Sequence, residues 1–74
     1  MAKYEARSEV TGSVWMVVCA VGQQLDPGDT VMVIESMKME IPVIAEDGGV
    51  VMEILVTKGT SVTEGQLVAL LEGK

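Results

Sequence analysis

Thr30-Val31-Met32-Val33-Ile34-Glu35-Ser36-Met37-Lys38-Met39-Glu40-Ile41-Pro42-Val43-Ile44 is the stretch from which the rest of the chain is read. Its two arms, residues 30–34 and 41–44, are rich in β-branched residues, which strands favour. The chain must reverse between them, so Met37 and Lys38 are expected as the two central residues of a tight hairpin. That placement is unusual. Two-residue hairpin turns need positive φ and favour Asn-Gly or other glycine-containing pairs. Methionine and lysine there cost roughly 1–3 kcal/mol in backbone strain. A turn that breaks its own chemistry inside a regular chain marks a candidate functional site.

Pairing across that turn sets Ser36 opposite Met39, Glu35 opposite Glu40, Ile34 opposite Ile41 and Met32 opposite Val43. Partners share a sheet face. Met32, Ile34, Ile41 and Val43 are therefore expected to face the core, with Glu35 and Glu40 outside. Two directly opposed glutamates cost up to ~1 kcal/mol. They form either a solvated acidic face or a recognition element, and Glu35, Ser36 and Glu40 are candidates for the second role.

Seventy-four residues suit one domain, taken as 1–74, with a thin stability margin. Hydrophobic residues make up 49% of the chain, yet there is no Phe, one Trp and one Tyr, so the core must be aliphatic. Short valine-rich runs punctuated by glycines argue for an all-β fold. The net charge of −6 leaves no electrostatic footprint for nucleic acid or an anionic membrane. Histidine is absent and Cys19 is alone, which removes zinc sites, disulfides and histidine-based catalysis. Cys19 reads as a buried, inert thiol. Its apolar run, residues 14–21, is too short to span a membrane and follows no basic segment of the signal-peptide kind. These features suit a cytoplasmic protein.

In chain order, residues 1–3 read as a loose start and 4–8 as a first strand. A break over 9–12 precedes a long buried strand, 13–20. Gly22-Gln23-Gln24 turns the chain, Leu25 returns it briefly, and Asp26-Pro27-Gly28-Asp29 is a strong turn. The hairpin arms cover 30–36 and 39–45. After Glu46-Asp47-Gly48-Gly49 come a strand at 50–56, a turn at Lys58-Gly59-Thr60, a brief return at Val62, a turn at Glu64-Gly65 and a last strand at 66–71.

That order repeats. A shift of 37 residues superposes Gly12 on Gly49, Val14 on Val51, Gly22 on Gly59, Gly28 on Gly65, Val31 on Val68 and Glu35 on Glu72, without a gap. Two copies of one β unit around a pseudo-twofold axis imply two small sheets packed face to face. The hairpin tip bridges the copies, so the termini are expected together at the end away from Lys38.

Lys38 has no catalytic apparatus around it. A nucleophilic lysine needs burial or neighbouring positive charge, and an exposed amine without either is a handle for another protein. Met37 and Met39, usually core gap-fillers, flank it where little core exists and offer a modifying enzyme an apolar grip.

With Lys38 set between Met37 and Met39, the segment Glu35-Ser36-Met37-Lys38-Met39-Glu40 resembles the Met-Lys-Met motif of biotin carboxyl carrier domains, in the biotinyl/lipoyl family. The Gly12 break, Gly22, the Pro27-Gly28-Asp29 turn and the Gly49 and Gly59 turns fit that family along nearly the whole chain. The resemblance implies an eight-stranded flattened sandwich of two four-stranded antiparallel sheets with the lysine at a hairpin tip. It also implies biotin in amide linkage to Lys38, attached by a biotin protein ligase. The family's role is to shuttle carboxyl groups between a biotin carboxylase and a carboxyltransferase, as a non-catalytic part of a biotin-dependent carboxylase. Ser36 stands where members often have Ala, and the Pro-rich wording usual near the first break is missing. The gap-free repeat leaves no room for the protruding thumb of some members, so the chain resembles thumbless carriers, including the biotin/lipoyl attachment proteins. A lipoyl carrier normally has Asp before the lysine and Ala after it, a pattern that Met37 and Met39 do not match. A lipoyl or dual carrier, and an unmodified β interaction module, remain the alternatives.

Overall fold

The computed structural model describes residues 3–73, which contain strands and no helix. In chain order the strands are β1 (Lys3–Arg7), β2 (Gly12–Val17), β3 (Gln24–Leu25), β4 (Asp29–Ser36), β5 (Met39–Ala45), β6 (Gly49–Ile54), β7 (Ser61–Val62) and β8 (Leu67–Glu72). They form two antiparallel four-stranded sheets, ordered β1-β8-β6-β3 and β5-β4-β2-β7. Adding 37 to each residue of β1 to β4 leads to β5 to β8, so each sheet maps onto the other and takes two strands from each copy.

The symmetry extends to individual hydrogen bonds. Gly22 N–H donates to Val51 O at 2.7 Å, and Gly59 N–H donates to Val14 O at 2.7 Å. Gly28 N–H reaches Ala45 O at 2.8 Å and Gly65 N–H reaches Ser8 O at 2.7 Å. The four turn glycines have φ of 91° and 91° at Gly22 and Gly59, and 89° and 86° at Gly28 and Gly65. These left-handed values favour glycine because a Cβ would crowd its own backbone.

Bulges repeat too. The β2–β4 register slips between Val14 and Met16, and the β6–β8 register slips between Val51 and Glu53. A second slip, between Thr30 and Met32 in the β4–β5 pair, has its mate beside Val68 in the β1–β8 pair. This second pair reshapes the core. An extra residue breaks the in–out alternation, so Val31 and Met32 are consecutive and both fully buried, as are Val68 and Ala69. The core is aliphatic, with Val14, Ile34, Val51 and Leu71 also buried between the sheets.

The structure corrects four expectations. The run 13–20 is not one buried strand: β2 ends at Val17, and Trp15, Met16 and Val18 are exposed. A sandwich covers only one face of each sheet, so an apolar run along it need not be buried on both sides. Ile41 is half-buried rather than a core residue, because it lies on edge strand β5 close to the tip. Cys19 is half-buried against the core rather than buried, and desolvation pushes its thiol up from the usual cysteine value. Lys3 belongs to β1 rather than to a loose start; Met1 and Ala2 lie outside the described residues.

The two ends of the molecule also follow the repeat. Lys3 pairs with Glu72, so the two ends of the described chain lie side by side. From Gly49, packed on the Glu72 backbone, β6 runs away from that end. The chain after it arrives at Ser61–Val62 beside Gly12 and Ser13, and Ser13 pairs with Glu35 next to the tip. The described chain ends and the hairpin tip therefore occupy opposite ends of a body 36 Å long and 19 Å by 18 Å across.

Candidate functional site: the β4–β5 hairpin tip

Strand pairing carries the hairpin to its tip in the expected register: Ile34 faces Ile41, Glu35 faces Glu40 and Ser36 faces Met39. Only Met37 and Lys38 remain to reverse the chain, at φ of 52° and 65°. Positive φ at both central residues is the signature of a type I′ turn, whose twist matches that of the flanking strands. These are the only non-glycine residues with positive φ among those described. Each carries a strain of roughly 1–2 kcal/mol that glycine or asparagine would relieve.

The tip side chains stand free. Met37 is 93% exposed and Met39 64%, values that exclude a role for either in the core. Lys38, Glu35 and Glu40 are exposed as well. Lys38 makes no ion pair with any described residue, and no described group is placed to take a proton from it.

What holds the tip rigid lies beside it. Ser36 Oγ donates to Thr11 O at 2.8 Å, and Thr11 Oγ1 accepts from Glu64 N–H at 3.0 Å. Three segments distant in sequence are thus tied together one residue from Met37. Ser36, a recognition candidate in the sequence, is half-buried, with its hydroxyl donated to the Thr11 carbonyl. Gly12 completes the arrangement: a Cβ there would collide with the Glu35 carbonyl oxygen and press on Ile34.

Thr11, Gly12 and Glu64 escaped the sequence reading as parts of the site. The available signal was the repeat: Gly49, the mate of Gly12, approaches the Glu72 carbonyl in the same way, where a Cβ would sit 2.7 Å from the oxygen. A glycine kept in both copies where strands pack backbone to backbone marks a close approach. Gly12→Ala is therefore expected to lower stability by about 1–3 kcal/mol, the usual range for overpacking, because the obstacle is backbone and cannot rotate away. A chemical-denaturation midpoint equal to that of the parent chain would contradict this.

Among the described residues Lys38 has no ion-pair partner through which a proton could be relayed. The tip presents a primary amine on a rigid, strained, protruding turn between two apolar side chains, with an exposed glutamate on each arm. Such a site suits covalent attachment by another protein.

Comparison with known proteins agrees with that geometry. Residues 5–71 match the biotin/lipoyl family, described as "Biotin-requiring enzyme". The chain is 40% identical over 67 residues to the biotinylated protein TB7.3 homolog of Mycobacterium leprae, covering 90% of this chain and 94% of that protein. It is 39% identical over 59 residues to the biotin/lipoyl attachment protein of Bacillus subtilis, covering 80% of this chain and 81% of that one. Among solved structures, the urea carboxylase of Kluyveromyces lactis superposes with a TM-score of 0.91 at 40% identity, over 97% of this chain but 6% of that much longer one. With the family match spanning nearly every described strand, the chain belongs to the biotin/lipoyl domain family.

Proposed function

We propose that this chain is a biotin carboxyl carrier, with biotin joined through an amide to the Nζ of Lys38. The observation that carries this reading is the exposed amine of Lys38, held at a strained turn between two exposed methionines. A free primary amine on a projecting turn fits a group attached through its carboxyl. When bound, biotin supplies a movable site on which a carboxyl group travels from a biotin carboxylase to a carboxyltransferase. The chain's own residues present and orient the arm: Met37 and Lys38 make the turn, Ser36 and Gly12 fix its base, and the sandwich keeps it clear of the body. The domain is the part carried and not the catalyst. Proton removal from the amine falls to a biotin protein ligase, since nothing beside Lys38 performs it.

Met37 and Met39 are the elements that select biotin over lipoate. Both branches of the family share the hairpin and the lysine, so backbone position alone does not separate them. A ligase that packs on the two methionines loses apolar contact when they are shortened, at about 25 cal/mol per Å2. A carboxylate at position 37 adds a desolvation cost within that contact. Met37→Asp combined with Met39→Ala is expected to lower biotin transfer and raise lipoate transfer. Both side chains are exposed, so the fold should persist. Parallel reactions with a biotin ligase and a lipoate ligase, read by intact mass alongside circular dichroism, test this. Undiminished biotin transfer in the folded double variant would assign the methionines to a later step.

A further inference from the structure

The internal repeat supplies a control that few single domains offer: each position on the outer face of one sheet has a mate on the other. On the sheet that bears Lys38, the row next to the tip pairs Ser13 with Glu35 and Glu35 with Glu40. The next row is wholly apolar, with Met16 paired to Val33 and Val33 to Pro42. Beyond it stand Val18 and Ile44, 42% and 44% exposed. The mates of the apolar row on the other sheet are Glu53, Leu70 and Glu5, paired in the same way. The mate of Ile44 is Arg7, and the mate of Glu40 is Lys3. One fold, used twice, thus tolerates charge across this surface, yet the copy beside Lys38 keeps an apolar face bordered by two glutamates.

We infer that this face docks the enzyme that loads the Lys38 arm: a biotin carboxylase presenting an apolar patch with lysine or arginine along the border that meets Glu35 and Glu40. The inference rests on the carrier reading above and names its partner surface. Charge decides against a second copy as the occupant. Each chain carries −6, and two such faces brought together would oppose four glutamates in a desolvating contact. A basic border on the partner meets the same glutamates favourably and steers the encounter. The apolar row lies two register positions from the Glu35–Glu40 pair, the next place along the same face, so a partner seated on it also reaches the tip.

Two substitutions with equal charge change and equal exposure separate docking from general acidity. Met16, in β2, and Leu55, in the segment that follows β6 of the other sheet, are both 42% exposed. Met16→Glu copies its own mate, Glu53, so the fold already accommodates the side chain at the equivalent place. Pro42→Glu copies Glu5 and serves if Met16→Glu fails to fold. Each protein is first brought to full biotinylation, checked by intact mass, and then titrated as substrate for the biotin carboxylase domains of an acyl-coenzyme A carboxylase and a urea carboxylase. Met16→Glu is expected to raise the KM for the carrier about tenfold with kcat preserved, and Leu55→Glu to change KM less than twofold. Equal KM values for the parent, Met16→Glu and Leu55→Glu overturn the docking face while leaving the carrier reading intact. A parent chain that takes biotin but is carboxylated by neither domain overturns the carrier reading and this inference with it. A parent chain that sediments as a dimer, made monomeric by Met16→Glu, overturns the choice of occupant.

Discussion

Lys38→Arg is expected to abolish biotin incorporation completely while leaving the fold unchanged. Arginine keeps the charge and nearly the reach of lysine, but its guanidinium is not the primary amine that an amide to biotin requires. The turn itself is indifferent to the exchange, since both residues pay the same penalty at a φ of 65°. The remaining lysines do not substitute. Lys3 is held in β1 opposite Glu72, at the far end of the molecule. Lys58 also sits in a turn, but that turn relies on Gly59 at a φ of 91° and has Thr57 where the tip has Met37. Lys74 lies outside the described residues. An intact-mass measurement after incubation with ligase, showing a biotin adduct on the folded Lys38→Arg variant, would place the attachment elsewhere.

The second large effect concerns the core under the hairpin. Ile34→Ala is expected to destabilise the domain by about 2–5 kcal/mol, the cost of a cavity at a fully buried aliphatic position. Ile34 is 0% exposed, between the two sheets. Its hairpin partner Ile41 shares the face and the register but is half-buried at the edge. Ile41→Ala should cost roughly 1 kcal/mol, in proportion to the apolar area it removes from water. A small domain has only ~5–15 kcal/mol to lose, with one of this length near the lower end, so Ile34→Ala brings it close to unfolding at physiological temperature. Denaturation curves with equal losses for the two variants would contradict the asymmetry between centre and edge.

Much of this molecule is legible in its residues because the repeat states each feature twice. Gly22 and Gly59, or Gly28 and Gly65, agree on where the chain turns, and the structure gives each pair φ values within a few degrees of one another. The tip is legible for the opposite reason. Met37 and Lys38 occupy positions that turn chemistry assigns to other residues, and the register through Ser36 and Met39 leaves them no alternative. What escaped the reading depends on contacts with no periodic trace. Strict alternation places Val31 outside, yet the bulge beside it turns both Val31 and Met32 inward. The apolar run from Val14 looks like a buried strand, whereas half of it forms an outer face. The tie from the Ser36 hydroxyl to the carbonyl of Thr11, 25 positions away, leaves no mark in the sequence. Gly12 looks like a break until the Glu35 carbonyl is found against it.

The central claim is that this chain carries biotin on Lys38, and peptide mapping tests it most directly. The purified chain is incubated with ATP, biotin, lipoate and both ligases, digested, and its lysine-containing peptides are sequenced by tandem mass spectrometry. The account predicts biotin on the peptide containing Met37-Lys38-Met39, and unmodified amines at Lys3, Lys58 and Lys74. Lipoate at Lys38, an unmodified Lys38, or biotin confined to another lysine would contradict it.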